Sequence, residues 1–227
     1  MIGHSSRISQ GCFFLSPDQL TVYPFTRTSP DGKGLSRPYT PTRVTKTYFE
    51  VPIKIYDDGR LTRHIRDWKV GDNVEWRGPY NENIYWTDAK NSHLLLVAGG
   101  TGIAPFIRIV EDVLNDEDTE TRIRLVYCVR STADILFKDQ LMEWARHWNI
   151  VVVICGVGVE GSLPILFERV DVRLTEDVFQ QQLEALTGGD LQNALVSVCG
   201  RVALEKDVVN FATRASVEPS RIVRFPA

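Results

Sequence analysis

No stretch of this 227-residue sequence is apolar for long enough to cross a bilayer, and no long apolar core lies near its start. The first apolar run, Cys12-Phe13-Phe14-Leu15, is too short for a secretory signal. Charge of one sign is also lacking. A formal net charge of -3 gives nucleic acid or an anionic membrane no electrostatic footing as the main partner. Cysteine is sparse: Cys12, Cys128, Cys155 and Cys199 stand far apart and form no CxxC pair, the pattern of buried free thiols in a reducing compartment. His4, His64, His93 and His147 add no metal-ligand spacing, which excludes a structural zinc site. GxSxG and HExxH motifs are missing, as is any nearby Cys-His pair, so hydrolase chemistry has no foothold. A cytoplasmic or otherwise intracellular soluble location is expected, with peripheral membrane association left open.

What is present is an ordinary globular composition, 43% hydrophobic and 24% charged, in a chain long enough for one or two domains. Two halves differ in rhythm. From about residue 20 to 87, short β-rich segments alternate with turn residues. Leu20-Thr21-Val22-Tyr23 reads as a strand and residues 29–34 as a turn; residues 48–56 read as β-rich, and Val74-Glu75-Trp76 as a strand ending at Gly78-Pro79. Leu61, Ile65 and Trp68 share one face of a short helix. Many short strands with one short helix suggest a small antiparallel barrel.

From Leu94 onward, apolar strands alternate with helices. Residues 94–98, 123–129, 150–154 and 194–198 read as strands. Phe106, Ile109, Val110, Val113 and Leu114 mark one helix; Leu141, Trp144, Ala145 and Trp148 a second; Val208, Phe211, Ala212 and Ala215 a third. The stretch between residues 155 and 194 reads as long and irregular. Continuously apolar strands between helices predict a doubly wound parallel sheet with ligands at its carboxyl edge.

Gly99-Gly100-Thr101-Gly102-Ile103-Ala104-Pro105 follows the first of these strands. Its glycines let backbone N–H groups approach a phosphate, and the following helix adds its positive end. Pro105 stands where a GxGxxG fingerprint needs its last glycine, and a proline there can open a helix without losing a hydrogen bond. Phosphate binding and a purely structural turn both fit. The Thr101 hydroxyl can face a ligand or satisfy local backbone. Cys199-Gly200 ends a strand as Ala98-Gly99 does, so Cys199 is either a pocket-lining residue or a buried structural thiol. In the first half, Arg37-Pro38-Tyr39-Thr40-Pro41 sets a guanidinium, an aromatic ring and a hydroxyl on stiff backbone, suited to a diphosphate and a planar ring or to plain turn architecture. Gly59-Arg60-Leu61-Thr62 offers a further turn at a helix start.

The ordered set RPYTP (37–41), PIKIY (52–56), GRLT (59–62), VGDNVEWRGP (70–79), VAGGTGIAP (97–105) and VCG (198–200) resembles the NADH-cytochrome b5 reductase family of the ferredoxin–NADP reductase superfamily, over roughly residues 35–225. The resemblance implies an antiparallel FAD-binding barrel over residues 1–87 and an NAD(P)-binding α/β domain over residues 88–227. With 36 residues before Arg37, the barrel is expected to lack one or two strands at its N-terminal side. It further implies that Arg37 contacts the FAD diphosphate and that Tyr39 and Thr40 line the flavin. Ile55, Tyr56, Gly59, Arg60, Leu61 and Thr62 then hold the FAD. Gly99, Gly100, Thr101, Gly102, Ile103, Ala104 and Pro105 receive the nicotinamide nucleotide, with Cys199 and Gly200 beside the nicotinamide and Phe225 as the terminal aromatic. Tyr39, Thr40, Thr101 and Cys199 are the residues expected nearest the reacting rings.

The implied cofactors are FAD and NADH, with NADPH also admitted, because the acid that selects NADH is missing from Cys155-Gly156-Val157-Gly158-Val159. The implied activity is hydride transfer to flavin by a monomer, then electron delivery to cytochrome b5 or another one-electron acceptor. Arg201-Val202-Ala203-Leu204 stands where the family carries prolines and a methionine. With the short N-terminal side, that departure gives the alternative of a truncated or divergent nucleotide-binding protein with little or no reductase activity.

Overall fold

The computed structural model describes residues 21–26, 35–80, 92–159 and 161–225. The runs at Cys12 and at residues 29–34 lie outside these residues. The chain divides into two compact units at about residue 84.

In the first unit, β1 (Thr21–Thr26) pairs antiparallel with β2 (Leu35–Ser36), and β3 (Arg43–Val44) pairs antiparallel with β4 (Phe49–Glu50). Helix α1 (Arg60–Arg66) follows, and then β5 (Glu75–Tyr80) adds to β1 in the order β2-β1-β5. The described residues thus form a three-stranded and a two-stranded antiparallel sheet. Two expectations change here. The β-rich stretch 48–56 is a strand only at Phe49–Glu50, because Pro52 cannot donate to a ladder and residues near Tyr56 are engaged by Thr62. Strand β5 also runs through Gly78-Pro79 to Tyr80 rather than turning there. It lies at a sheet edge, where a missing N–H is tolerated. Leu61 and Ile65 of α1 are buried, and Phe49 meets Trp76 edge-on with ring centroids 5.2 Å apart. Trp68 lies beyond the end of α1, only partly buried.

The second unit is a six-stranded parallel sheet. Strand β6 (His93–Gly99) leads through a 3-10 turn at Gly100–Ile103 into α2 (Ala104–Asn115). Then come β7 (Arg122–Cys128), α3 (Lys138–Trp144), β8 (Ile150–Cys155) and β9 (Phe167–Val170). Helix α4 (Glu176–Thr187), β10 (Ala194–Cys199), α5 (Val202–Arg214) and β11 (Ile222–Arg224) complete the unit. The strand order is β11-β10-β6-β7-β8-β9, and every pair is parallel. Successive residues Leu94, Leu95, Leu96, Val97 and Ala98 are all fully buried, so both faces of the central strand are covered. On one face Phe179, Leu183 and Leu186 of α4 and Val208 and Ala212 of α5 close over Leu95, Val97, Val126, Val153, Val196 and Val198.

The stretch expected to be irregular holds β9 and α4. Helix α4 carries recognisable ends: the Thr175 hydroxyl accepts from the Val178 N–H, and Gly188 turns left-handed after the last turn. Its run Gln180-Gln181-Gln182 blunts the apolar stripe that would have announced it. Helix α3 ends at Trp144, where the chain turns toward β8 through the Ile150 N–H to His147 carbonyl bond. Trp148 therefore lies off the helix face expected for it and is 72% exposed.

Candidate functional site

The strand order fixes where a ligand can enter the second unit. From β6 the chain runs outward through β7, β8 and β9, then returns to place β10 on the other side of β6. That reversal opens a crevice between the carboxyl ends of β6 and β10. Ala98 and Cys199 face each other there in register, so Gly99 and Gly200 are the first residues past that pair.

Glycine is required here by close approach. A methyl group on Gly102 would fall 2.2 Å from the Cys199 carbonyl oxygen, and one on Gly200 would fall 3.3 Å from the Gly99 Cα. The Leu204 side chain lies over both strand ends, 2.7 Å from where a Gly99 methyl would stand. Gly100 differs: its φ of +57° favours glycine, yet nothing lies within 4 Å of a Cβ built there. The turn is therefore packed tight on its sheet side and open above Gly100, a cradle into which a phosphate can come close to backbone N–H groups. Ile103, Ala104, Pro105 and Phe106 are buried at the start of α2, with Pro105 in its first turn where no intrahelical acceptor is needed. Thr101 is half-buried, and its hydroxyl makes no hydrogen bond among the described residues.

Two residues not singled out from the sequence shape this crevice. Tyr127 is fully buried in β7, and its hydroxyl donates to the Gly100 carbonyl at 3.0 Å and accepts from the Leu136 N–H at 3.4 Å. Burial pushes its phenol well above the ordinary range, so the hydroxyl keeps the proton that it donates. Glu205, on α5, accepts a bond from the Gly200 N–H, while its Oε1 is buried with no partner among the described residues. Burial raises this carboxyl above its usual range, against the Gly200 bond and the Arg224 charge. Cys199 is 5% exposed; burial, then the Glu205 carboxylate, push its thiol up to about 12. It is a neutral thiol at physiological pH, suited to packing and weak donation but not to nucleophilic attack. Phe225 is buried edge-on to Phe106, with centroids 5.7 Å apart, and its N–H donates to the Val198 carbonyl.

Two positions of the loop after β8 have no room for a side chain. A Cβ on Gly156 would fall 2.1 Å from the Val129 carbonyl oxygen, and one on Gly158 would fall 2.3 Å from that of Arg130. Val157 between them is 67% exposed.

The first unit gathers the other candidates. Tyr39 forms an isolated β-bridge and is partly buried; burial raises its phenol, the Arg37 charge opposes that shift, and Tyr56 adds to it. Arg37, Tyr39 and Tyr56 therefore lie within electrostatic reach of one another. Arg37 is exposed, Thr40 and Ile55 are half-buried, and the Lys54 ammonium stands 5.8 Å from the centroid of the exposed Tyr56 ring. Thr62 ties the GRLT turn down: its hydroxyl accepts from the Tyr56 N–H and lies within bonding distance of the Tyr56 carbonyl, both at 3.1 Å. A methyl on Gly59 would strike that hydroxyl oxygen at 2.1 Å, which accounts for the glycine. Leu61 is buried in the unit's core and Arg60 is exposed on the first turn of α1.

A parallel sheet with a glycine-lined crevice at its reversal point, following an antiparallel β unit in the same chain, defines a two-unit protein of the nucleotide-binding α/β class. Sequence comparison agrees. The oxidoreductase NAD-binding domain family matches residues 96–210 and the oxidoreductase FAD-binding domain family matches residues 19–85. The chain belongs to the ferredoxin–NADP reductase superfamily, in its NADH-cytochrome b5 reductase-like branch. It is 38% identical to the human NADH-cytochrome b5 reductase-like protein over 180 residues, covering 78% of this chain and 57% of that protein. It is also 38% identical to the Mus musculus protein of the same name over 122 residues, 53% of this chain and 38% of the relative. The chain thus spans well under two thirds of the length of these relatives. Among solved structures, the cytochrome b5 reductase domain of Ulva prolifera nitrate reductase superposes with a TM-score of 0.74 at 19% identity, over 97% of this chain and 89% of that one. The CS-b5R domains of human Ncb5or give 0.76 at 22%, over 93% and 61%. These two likenesses concern the fold.

Proposed function

We propose that this chain is an FAD-dependent reductase that takes hydride from NADH or NADPH and passes electrons to a one-electron acceptor such as cytochrome b5. The observation that carries the reading is the crevice at Gly99 and Cys199, inside a matched NAD-binding segment that follows a matched FAD-binding segment. The nicotinamide supplies hydride and the flavin accepts it and releases single electrons, so the protein needs no nucleophile of its own.

Residues 1–87 form the flavin domain, an antiparallel barrel, and residues 88–227 the nucleotide domain of a monomer. Arg37 holds the FAD diphosphate, a task suited to a guanidinium with its fixed fork of donors. Tyr39 and Thr40 line the flavin, Ile55 and Tyr56 flank it, and Gly59, Arg60, Leu61 and Thr62 shape the turn that receives its phosphates. In the nucleotide domain the open side of Gly100 and the backbone of residues 99–105 take the pyrophosphate. Tyr127 fixes the direction of the Gly100 peptide. The Thr101 hydroxyl and the neutral Cys199 thiol border the nicotinamide, with Gly200 allowing close approach and Phe225 closing the far side. Because Gly156 and Gly158 exclude side chains, no carboxylate from either position repels a 2′-phosphate, so NADPH is accepted with NADH. No described helix is long and apolar enough to cross a membrane.

The test is the visible spectrum of the purified chain after FAD reconstitution, before and after anaerobic addition of NADH and of NADPH. Bound flavin that bleaches with either nucleotide supports the reading. Failure to retain FAD after reconstitution, or retained FAD that neither nucleotide bleaches, overturns it.

A further inference from the structure

We propose that Cys128 and Cys155 form an oxidisable dithiol site, closed reversibly into a disulfide by a hydroperoxide. They are the last residues of β7 and β8 and are paired in register. In-register residues of a parallel pair project to the same sheet face, and adjacent strands lie about 4.7–4.9 Å apart. That spacing falls inside the roughly 4.4–6.8 Å Cα range a disulfide spans. Both cysteines are free thiols, hydrogen-bonded to each other, and the Cys155 thiol also donates to the Val172 carbonyl at 3.2 Å. Twenty-seven residues apart in sequence, they are brought side by side only by the sheet.

The two differ in access. Cys155 is 1% exposed, whereas Cys128 is only partly buried and offers the oxidant its way in. The Cys128 sulfur attacks one peroxide oxygen, the O–O bond breaks, and the Cys128 proton leaves with the other oxygen as alcohol or water. Cys155 then attacks the oxidised Cys128 sulfur: the S–S bond forms, the S–O bond breaks, and hydroxide departs with the Cys155 proton as water. Two thiols are oxidised and one peroxide is reduced. The hydrogen bond between them and burial raise the Cys128 thiol, so its attack on peroxide is slow at neutral pH and quickens as pH rises. The same bond lowers the Cys155 thiol and readies it as the resolving nucleophile.

The location gives the bridge a consequence. Cys128 is in register with Gly99 on its other side, and the Val129 N–H donates to the Cys155 carbonyl at 3.0 Å. A bridge therefore draws on the strand that flanks the glycine turn and weakens NADH binding several-fold. This last clause rests on the reductase reading; the bridge does not.

The experiment treats the folded, FAD-reconstituted chain with hydrogen peroxide, maps its peptides by mass, and measures NADH affinity by calorimetry before and after dithiothreitol. The expected result is a linked peptide pair containing Cys128 and Cys155, lost with dithiothreitol and absent from Cys128→Ser. In Cys155→Ser, a sulfenic acid trappable at Cys128 is expected instead. Retention of both thiols in the wild-type chain, over-oxidation of one alone, or a link to Cys12 or Cys199 overturns the site. A linked protein with unchanged NADH affinity overturns its coupling to the turn. Peptide mapping needs no turnover, so its failure is distinct from a failure of the reductase reading.

Discussion

The Tyr127 hydroxyl donates to the carbonyl oxygen of Gly100 at 3.0 Å, joining the middle of the sheet to the first residue of the glycine turn. A peptide whose carbonyl is held inward turns its N–H partner outward, so this bond orients the Gly100-Thr101 peptide. The same hydroxyl accepts from Leu136, just before Phe137, whose φ of 56° is uncommon for a bulky residue. One phenol therefore steadies both loops that rise from β6 and β7.

Tyr127→Phe removes both bonds and keeps the ring. The expected cost to folding is about 1–3 kcal/mol, since a half-buried carbonyl and a half-buried N–H lose their partner together. Nucleotide affinity should fall about tenfold, equivalent to ~1.4 kcal/mol, as the turn loosens. Urea unfolding and calorimetry with NADH check the two effects separately. Unchanged affinity in a destabilised variant would show that Tyr127 serves packing alone.

The glycine turn makes a second, sharper prediction because its glycines differ. In Gly102→Ala the new methyl meets the Cys199 carbonyl oxygen at 2.2 Å and the Gly200 nitrogen at 2.9 Å, both backbone atoms that cannot rotate away. The crevice must open, and NADH binding should be lost with a fall in Tm. In Gly100→Ala space is free and only the left-handed backbone resists, a strain of about 1 kcal/mol. That variant should fold with a small loss in Tm. Parallel thermal melts and NADH titrations test the contrast; equal damage in both would contradict it.

Much of the second unit was legible because its strands are unbroken apolar runs. Residues 94–98, 150–154 and 194–198 cannot lie at a surface, and Phe106, Ile109, Val110 and Val113 repeat at helical spacing. The pairing of Ala98 with Cys199 was also readable, since glycine follows both residues at the ends of their apolar runs. What escaped depends on partners distant in sequence. Tyr127 reads as one more strand residue until its hydroxyl is seen on Gly100, and the neighbours Cys128 and Cys155 have no local signature. Helix α4 escaped because its buried face includes Gln182, which takes the Arg124 guanidinium at 2.7 Å instead of packing as an apolar residue. The first unit was read less well, because strands of two residues leave little alternation to detect.

Glu205 gives a prediction about pH. Its carboxyl is raised by burial, so ionisation costs the folded state more than the unfolded one. The stability this group contributes is present below the ordinary carboxylate range and lost as pH rises through its raised value. At neutral pH the charged side chain is therefore a burden, with Oε1 buried and unpartnered among the described residues. Glu205→Gln keeps an acceptor for the Gly200 N–H and removes the charge. Its Tm should exceed that of the parent chain at pH 7 and match it near pH 4. A variant less stable at pH 7 would mean that the charge is needed, with Arg224 as its counterion.

Cys199 answers at the opposite end of the pH scale. Its thiol is raised from 9.0 to about 12 by burial and then by the Glu205 carboxylate. The folded state therefore holds this proton after the unfolded chain has released it. Stability from the neutral thiol is fully present below pH 9 and lost as pH climbs toward about 12. Within that window the slope is about 1.4 kcal/mol per pH unit for one proton. Cys199→Ala removes the titrating group, so stability of the parent chain should fall more steeply than that of the variant between pH 9 and 10.5. Urea unfolding at both pH values measures the difference. Alkylation gives an independent check, because a thiol so held should resist iodoacetamide at pH 8 in the folded chain and react once the chain is unfolded. Rapid modification of folded protein at pH 8 would show Cys199 to be a thiolate, and its role at the crevice would then be chemical as well as steric.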